Sequence, residues 1–264
     1  MGYILSCATT PARIDKLIFI LSETKLDFKY FVINICSVYR RFGRFKIPKS
    51  LLQLCKKNKR IVFNFIDDLG PVCKLIGGYQ FMKKRRLFYD KLIIIDDDTL
   101  YQKELFHNLL NDKNPLNITT GSGFNFDKNF NYQIVTGKTE MVEGYAGICF
   151  NFDQIDKFIL WYVGFYKHFN FASDNLIDNY LKASFLGDDF IISNCYDDKI
   201  AINNGRKYLK PYSYGFDEDA LHKNNHFGSN MGSYKFLFDN IKILNTFKFK
   251  YELNKTICEL ECRN

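Results

Sequence analysis

Three consecutive carboxylates, Asp96, Asp97 and Asp98, follow the apolar run Leu92-Ile93-Ile94-Ile95. Four apolar residues bounded by charge predict a buried strand that ends in acid. Three carboxylates leaving one strand end repel each other unless a cation, or donors from a bound ligand, compensates them. The stretch looks like a metal site, although a solvated acidic strand end would carry the same letters. A second acid pair, Asp188-Asp189, follows Gly187 and opens the apolar segment Phe190 to Cys195. At a helix N-terminus the dipole favours the charged form of an acid, and simple capping is the plainer alternative.

The surrounding pattern alternates strands and helices. Tyr3 to Ala8, Tyr30 to Cys36 and Arg60 to Ile66 read as strands too uniformly apolar to have a wet face, which indicates a mostly parallel sheet covered by helices. Thr9-Thr10-Pro11 offers a cap and a proline for a helix through Ile14, Leu17, Ile18 and Leu21. Gly70-Pro71 forces a turn into a helix containing Leu75, Ile76, Tyr79 and Met82. Ligands bind at the carboxyl ends of strands in such sheets, so Asp68 and Asp96 to Asp98 are expected to face one crevice, with Thr9-Thr10 beside it. Further on, Gln133 to Val142 reads as a strand, Asp174 to Ala183 as a helix, and Tyr234 to Tyr251 as a mixed aromatic and basic helix.

The 264 residues suffice for one large α/β domain. The formal charge of +8 is spread along the chain, with one tight run at Lys83-Lys84-Arg85-Arg86. No nucleic-acid module is visible, so nucleic acid is not an expected partner. A basic surface suits nucleotide diphosphates and also a peripheral contact with an anionic membrane. Cys7, Cys36, Cys73, Cys149 and Cys195 lie in or beside apolar stretches and read as small core residues. Cys258 and Cys262 are spaced for one helical face or half of a metal site. No signal segment or bilayer-length apolar run is present, and the expected location is cytoplasmic, with membrane association open.

Four stretches together resemble a group of GT-A glycosyltransferases of bacteria and large DNA viruses that build surface polysaccharides or glycans. They are Ala8-Thr9-Thr10-Pro11-Ala12-Arg13-Ile14; Asp68-Leu69-Gly70-Pro71 with Lys74; Ile95 to Asp98 with Tyr101; and Glu143 to Gly147 paired with Gly187 to Ser193. The resemblance covers roughly residues 4 to 200. It implies an α/β GT-A (Rossmann-like) fold with a mostly parallel central sheet flanked by helices. A single domain over 1–264 is expected, with a nucleotide-binding half (1–120) and an acceptor half (121–264). Two departures stand out: Val72-Cys73 replaces the more usual Ala-Thr before the lysine, and the aromatic helix around Trp161 has no counterpart.

By the same resemblance, Asp98 binds Mn²⁺ or Mg²⁺ directly, while Asp96 and Asp97 orient the ribose and help hold the ion. Thr9, Arg13 and Asp68 line the nucleotide pocket, with Arg13 near phosphate or holding Asp68, and Lys74 neutralises diphosphate charge. Glu143 contacts the donor sugar or acceptor, Asp189 is the general base with Asp188 as its substitute, and His226, or else His222, adds an imidazole to the ion. The activity implied is transfer of a sugar from a nucleotide diphosphate sugar, UDP-linked in the favoured case, to a glycan or glycolipid hydroxyl with inversion. A retaining transferase and a non-catalytic glycan-binding protein are the alternatives. A nucleotidyltransferase would carry a Gly-rich loop after the first strand, where this chain has Ala8-Thr9-Thr10-Pro11.

Overall fold

The computed structural model describes residues 2–23, 27–40, 42–112, 114, 116–169, 175–211 and 230–261. Its centre is an eight-stranded mixed sheet. In chain order the strands are β1 (Tyr3–Ala8), β2 (Tyr30–Cys36), β3 (Ile61–Ile66), β4 (Lys91–Ile94), β5 (Ile118–Thr120), β6 (Gly137–Lys138), β7 (Ile148–Phe150) and β8 (Lys199–Ala201). Across the sheet they run β6-β8-β5-β7-β4-β1-β2-β3. Only β6 and β7 oppose the common direction. This is the expected α/β architecture, a mostly parallel sheet flanked by helices.

The central strands have two dry faces, whereas the edge strand β3 is mostly half-buried and exposes Phe65. Ile4, Val32, Leu92 and Ile94 join one core cluster, while their neighbours Leu5, Ile33, Ile93 and Ile95 join another on the opposite face, as the two-residue strand period requires. The first face is covered by helices α3 (Cys73–Arg85), α5 (Phe152–Phe169) and α7 (Asp188–Cys195). The second is covered by α1 (Ile14–Glu23), α2 (Lys49–Lys57) and α4 (Lys103–Leu110). Helices α6 (Asn175–Leu186), α8 (Asn230–Asp239) and α9 (Ile241–Glu261) complete the chain.

Gly77, with no side chain, lets helix α3 pack directly against the sheet. A Cβ there would stand 1.9 Å from Asn34 Oδ1. The space is used for polar ties: the Asn64 amide donates to the Gly77 carbonyl and to Asn34 Oδ1, and the Ser6 hydroxyl donates to the Lys74 carbonyl at 2.6 Å. These bonds fix the first turn of α3, which carries Lys74, against the carboxyl ends of β1 and β2.

Two expectations are corrected. The stretch Gln133 to Val142 is not one strand: with Gly137 at φ +86, it divides between β6 and a separate three-stranded sheet of Gly123–Phe126, Tyr132–Val135 and Met141–Val142. The tail forms two helices, α8 and α9, rather than one. The helix expected from Asp174 to Ala183 is present as α6. Among the described residues, no helix is long and apolar enough to cross a membrane.

Candidate active site

The carboxyl ends of β1, β2, β3 and β4 open into a cleft of about 190 Å³. Thr9 follows β1, Asp68 follows β3, and the acid triplet follows β4. Because β7 runs antiparallel to β4, with Ile148 opposite Ile94, the segment Glu143 to Gly147 enters the same end of the sheet. Tyr101 ties the two together: its hydroxyl accepts from the Asp96 N–H at 3.0 Å and donates to the Tyr145 carbonyl at 2.9 Å.

Burying the triplet requires countercharge. Arg13, presented by the turn Pro11–Arg13 ahead of α1, donates to Asp97 Oδ1 at 2.9 Å and to Asp98 Oδ2 at 2.7 Å. Burial disfavours the guanidinium charge, but Asp97 and Asp98 outweigh it and raise its affinity for the proton. Burial also dominates at Asp97, which is pushed up to about 6 against the pull of Arg13. Arg13, expected near phosphate or holding Asp68, does not pair with Asp68, which instead accepts from the Arg40 N–H at 2.7 Å and the Gly70 N–H at 3.1 Å. The acid triplet outcompetes it because two adjacent carboxylates match the two guanidinium branches.

Asp96, the remaining acid of the triplet, belongs to a different cation. Lys74, buried at 4% exposure, places its ammonium 2.9 Å from Asp96 Oδ1 and 3.2 Å from Asp188 Oδ2. Burial opposes its charge, and Asp188, Asp96 and Asp189 outweigh that penalty, so its pKa is raised. Asp96 moves the other way; burial would raise it, but Lys74 holds it below the usual carboxylate range. The acid triplet and the acid pair, distant in sequence, therefore meet across one lysine.

Asp189 is held from outside α7. Its Oδ1 accepts from the Gly144 N–H at 3.0 Å and its Oδ2 from the Tyr234 hydroxyl at 3.3 Å. A Cβ on Gly144 would lie 2.5 Å from Lys74 Nζ and 2.7 Å from Asp189 Oδ1, so a side chain here would have to push the tips of Lys74 and Asp189 aside. Burial, then the adjacent Asp188 charge, pushes Asp189 well above the usual carboxylate range. Asp188 is raised too, by burial first. The Ser193 hydroxyl, which donates to the Asp189 carbonyl and accepts from the Val142 N–H, locks α7 in place.

Glu143 stands apart from this cluster. It accepts from the Ser122 hydroxyl and from Arg206 at 2.6 Å, and the Arg206 guanidinium lies over the Tyr145 ring at 5.9 Å from its centroid. Thr9 is buried at the cleft floor, its carbonyl accepting from the Tyr39 hydroxyl at 2.7 Å. His222 and His226 lie outside the described residues. Sequence reasoning missed Tyr234 and Arg206: each comes from a segment without a motif, and only the folded chain brings it to an acid.

The triplet supplies hard oxygen donors, although among the described residues its carboxylate oxygens do not gather within 4.8 Å of one another. Asp96 is part-exposed at the cleft, and Asp97 Oδ2 is buried without a hydrogen-bond partner. Such oxygens suit Mg²⁺ or Mn²⁺.

No family model matches this chain, and no curated protein matches its sequence. Among solved structures the chain is similar to one described as the crystal structure of 4-diphosphocytidyl-2C-methyl-D-erythritol synthase, with a TM-score of 0.44 and 7% identity, over 78% of this chain and 92% of that one. At that level of similarity neither substrate nor activity carries over.

Proposed function

We propose that this protein is a glycosyltransferase that moves a sugar from a nucleotide diphosphate sugar, a UDP-sugar in the favoured case, to a glycan or glycolipid hydroxyl with inversion. The observation that carries the reading is the meeting of Asp96 and Asp188 on Lys74, with Asp189 beside them, in a cleft at the strand carboxyl ends.

Inversion needs a base on the acceptor side and charge stabilisation on the departing diphosphate. Asp189 is the base: as the acceptor oxygen bonds to the anomeric carbon and the carbon–diphosphate bond breaks, its carboxylate takes the hydroxyl proton. The nucleoside diphosphate leaves with the electron pair. A raised pKa matches this role, since a stronger base removes a hydroxyl proton more readily.

Lys74 provides positive charge for the diphosphate. Thr9 and Asp68 contact the nucleoside, and Glu143, oriented by Arg206, faces the sugar or acceptor. Arg13 acts as a positioning residue that holds Asp97 and Asp98. Asp96 and Asp98 would hold Mn²⁺ or Mg²⁺, with Asp97 alongside and His226 as a further ligand. When bound, that ion supplies Lewis-acid neutralisation of diphosphate oxygens.

A thermal-shift panel of UDP-, GDP- and CMP-sugars, with and without Mn²⁺, tests the reading. Stabilisation by one nucleotide class only with metal, lost in Asp98→Ala, is the expected result. Glycan binding without any nucleotide or metal response contradicts it.

A further inference from the structure

Cys36, Cys73 and Asp68 converge beside the cleft, outside the catalytic cluster. Cys36 ends β2, Asp68 follows β3, and Cys73 is the first residue of α3. Their two sulfurs and a carboxylate oxygen all lie within 4.8 Å of one another. Both cysteines are free thiols, and all three residues line the cleft.

We propose that Cys36, Cys73 and Asp68 form a binding site for a soft divalent cation, Zn²⁺ in particular, whose remaining coordination position faces the cleft. Two sulfurs and one carboxylate oxygen are a zinc donor set, and three protein ligands leave the fourth tetrahedral position open. The carboxylate Mg²⁺ or Mn²⁺ site offers no sulfur, so the two sites select different metals.

The surroundings hold the ligand atoms in place, with the Cys73 thiol donating to the Asp67 carbonyl at 3.4 Å when no metal is bound. The Leu69 N–H points at Cys73 Sγ at 3.3 Å, and the N-terminus of the thirteen-residue α3 favours negative charge on that sulfur. Both Asp68 oxygens accept backbone N–H groups, from Arg40 and Gly70, which fixes the orientation of the carboxylate. Without metal, the hydrogen bond with Cys36 and then burial push the Cys73 thiol up. Binding replaces two thiol protons with one cation, so affinity rises with pH.

A consequence rests on the function proposed above. An ion held here withdraws Asp68 from the nucleoside, making the soft metal an inhibitor of nucleotide binding. Direct metal titration tests the site whether or not nucleotides bind.

The full chain, kept reduced with a phosphine, is titrated with Co²⁺ as a spectroscopic substitute. One equivalent should produce a sulfur-to-cobalt charge-transfer band that Zn²⁺ abolishes by displacement. The band should vanish in Cys73→Ser and persist in Cys258→Ser. Asp68→Asn keeps both thiols and guards against a misfolded cysteine variant; it should retain the band with affinity weakened on the order of 10- to 100-fold. Absence of a charge-transfer band in folded wild-type protein overturns the proposal. So does a band that survives Cys73→Ser, or one whose affinity Asp68→Asn leaves unchanged.

Discussion

The Lys74 ammonium lies 3.2 Å from the Asp188 carboxylate, joining the first turn of α3 to the first residue of α7. The same nitrogen holds Asp96 at 2.9 Å; Lys74 and Asp188 are largely removed from water, while Asp96 is part-exposed. A lone lysine here is therefore the countercharge for an acidic cluster that would otherwise repel itself apart. Lys74→Met should lower stability by about 3–5 kcal/mol at neutral pH, the cost of leaving buried charge unpaired. Urea unfolding at pH 7 and at pH 4 checks this. The loss should shrink at the lower pH, where Asp188 and Asp189, whose pKa values are raised, take up protons.

Asp97 gives the metal-free protein a pH dependence of definite sign. Its pKa is about 6 in the fold against 3.8 for the free side chain, so the folded state binds the proton more tightly. The resulting stabilisation is fully present below pH 3.8 and is lost as pH rises through about 6. Its size is on the order of 2–3 kcal/mol. Asp96 does not cancel it in this window, since its lowered pKa affects stability only as pH falls through and below the usual carboxylate range. Denaturant midpoints measured from pH 4 to 7 should fall, and Asp97→Asn should flatten the slope.

Much of this site was legible before folding, for reasons that differ by residue. The strand before Asp96 is marked by an unbroken apolar run, which only a sheet buried on both faces tolerates. Asp68 and the triplet were expected in one crevice because parallel strands place their carboxyl ends on one edge. The partner of Arg13 was not legible, since geometry alone decides between Asp68 and the Asp97-Asp98 fork. Tyr234 was equally hidden: it lies in the chain's last third, with no motif around it, and reaches Asp189 only because α8 packs on α6. The division of the 133–142 region into three short strands includes a positive φ at Gly137, a conformation that glycine permits but does not announce.

Gly144→Ala tests the backbone hold on Asp189. The added Cβ meets the tips of Lys74 and Asp189 rather than backbone, so the fold should survive with a modest loss of melting temperature. Displacing the base by a fraction of an ångström to an ångström should lower kcat by about 100-fold. Circular dichroism melts beside turnover rates separate the two effects.

Tyr234→Phe removes one hydrogen-bond donor from Asp189 while keeping the ring. Losing a donor to the carboxylate raises its pKa further, so the acid limb of the kcat profile should move to higher pH. The bond is long at 3.3 Å, so the rate at optimal pH should fall only several-fold, equivalent to about 0.5–1.5 kcal/mol. A pH profile unchanged from wild type would leave the tyrosine a packing role alone.

The most direct measurement is release of nucleoside diphosphate from a panel of nucleotide sugars with Mn²⁺ and a mixed glycan acceptor pool, comparing wild type with Asp189→Asn. The account predicts turnover of one nucleotide class by the wild type. It also predicts a loss of about 10²- to 10⁴-fold in Asp189→Asn, with nucleotide binding in that variant preserved. Wild-type protein that is folded but neither binds nor turns over any nucleotide sugar, or an Asp189→Asn variant as active as wild type, would contradict it.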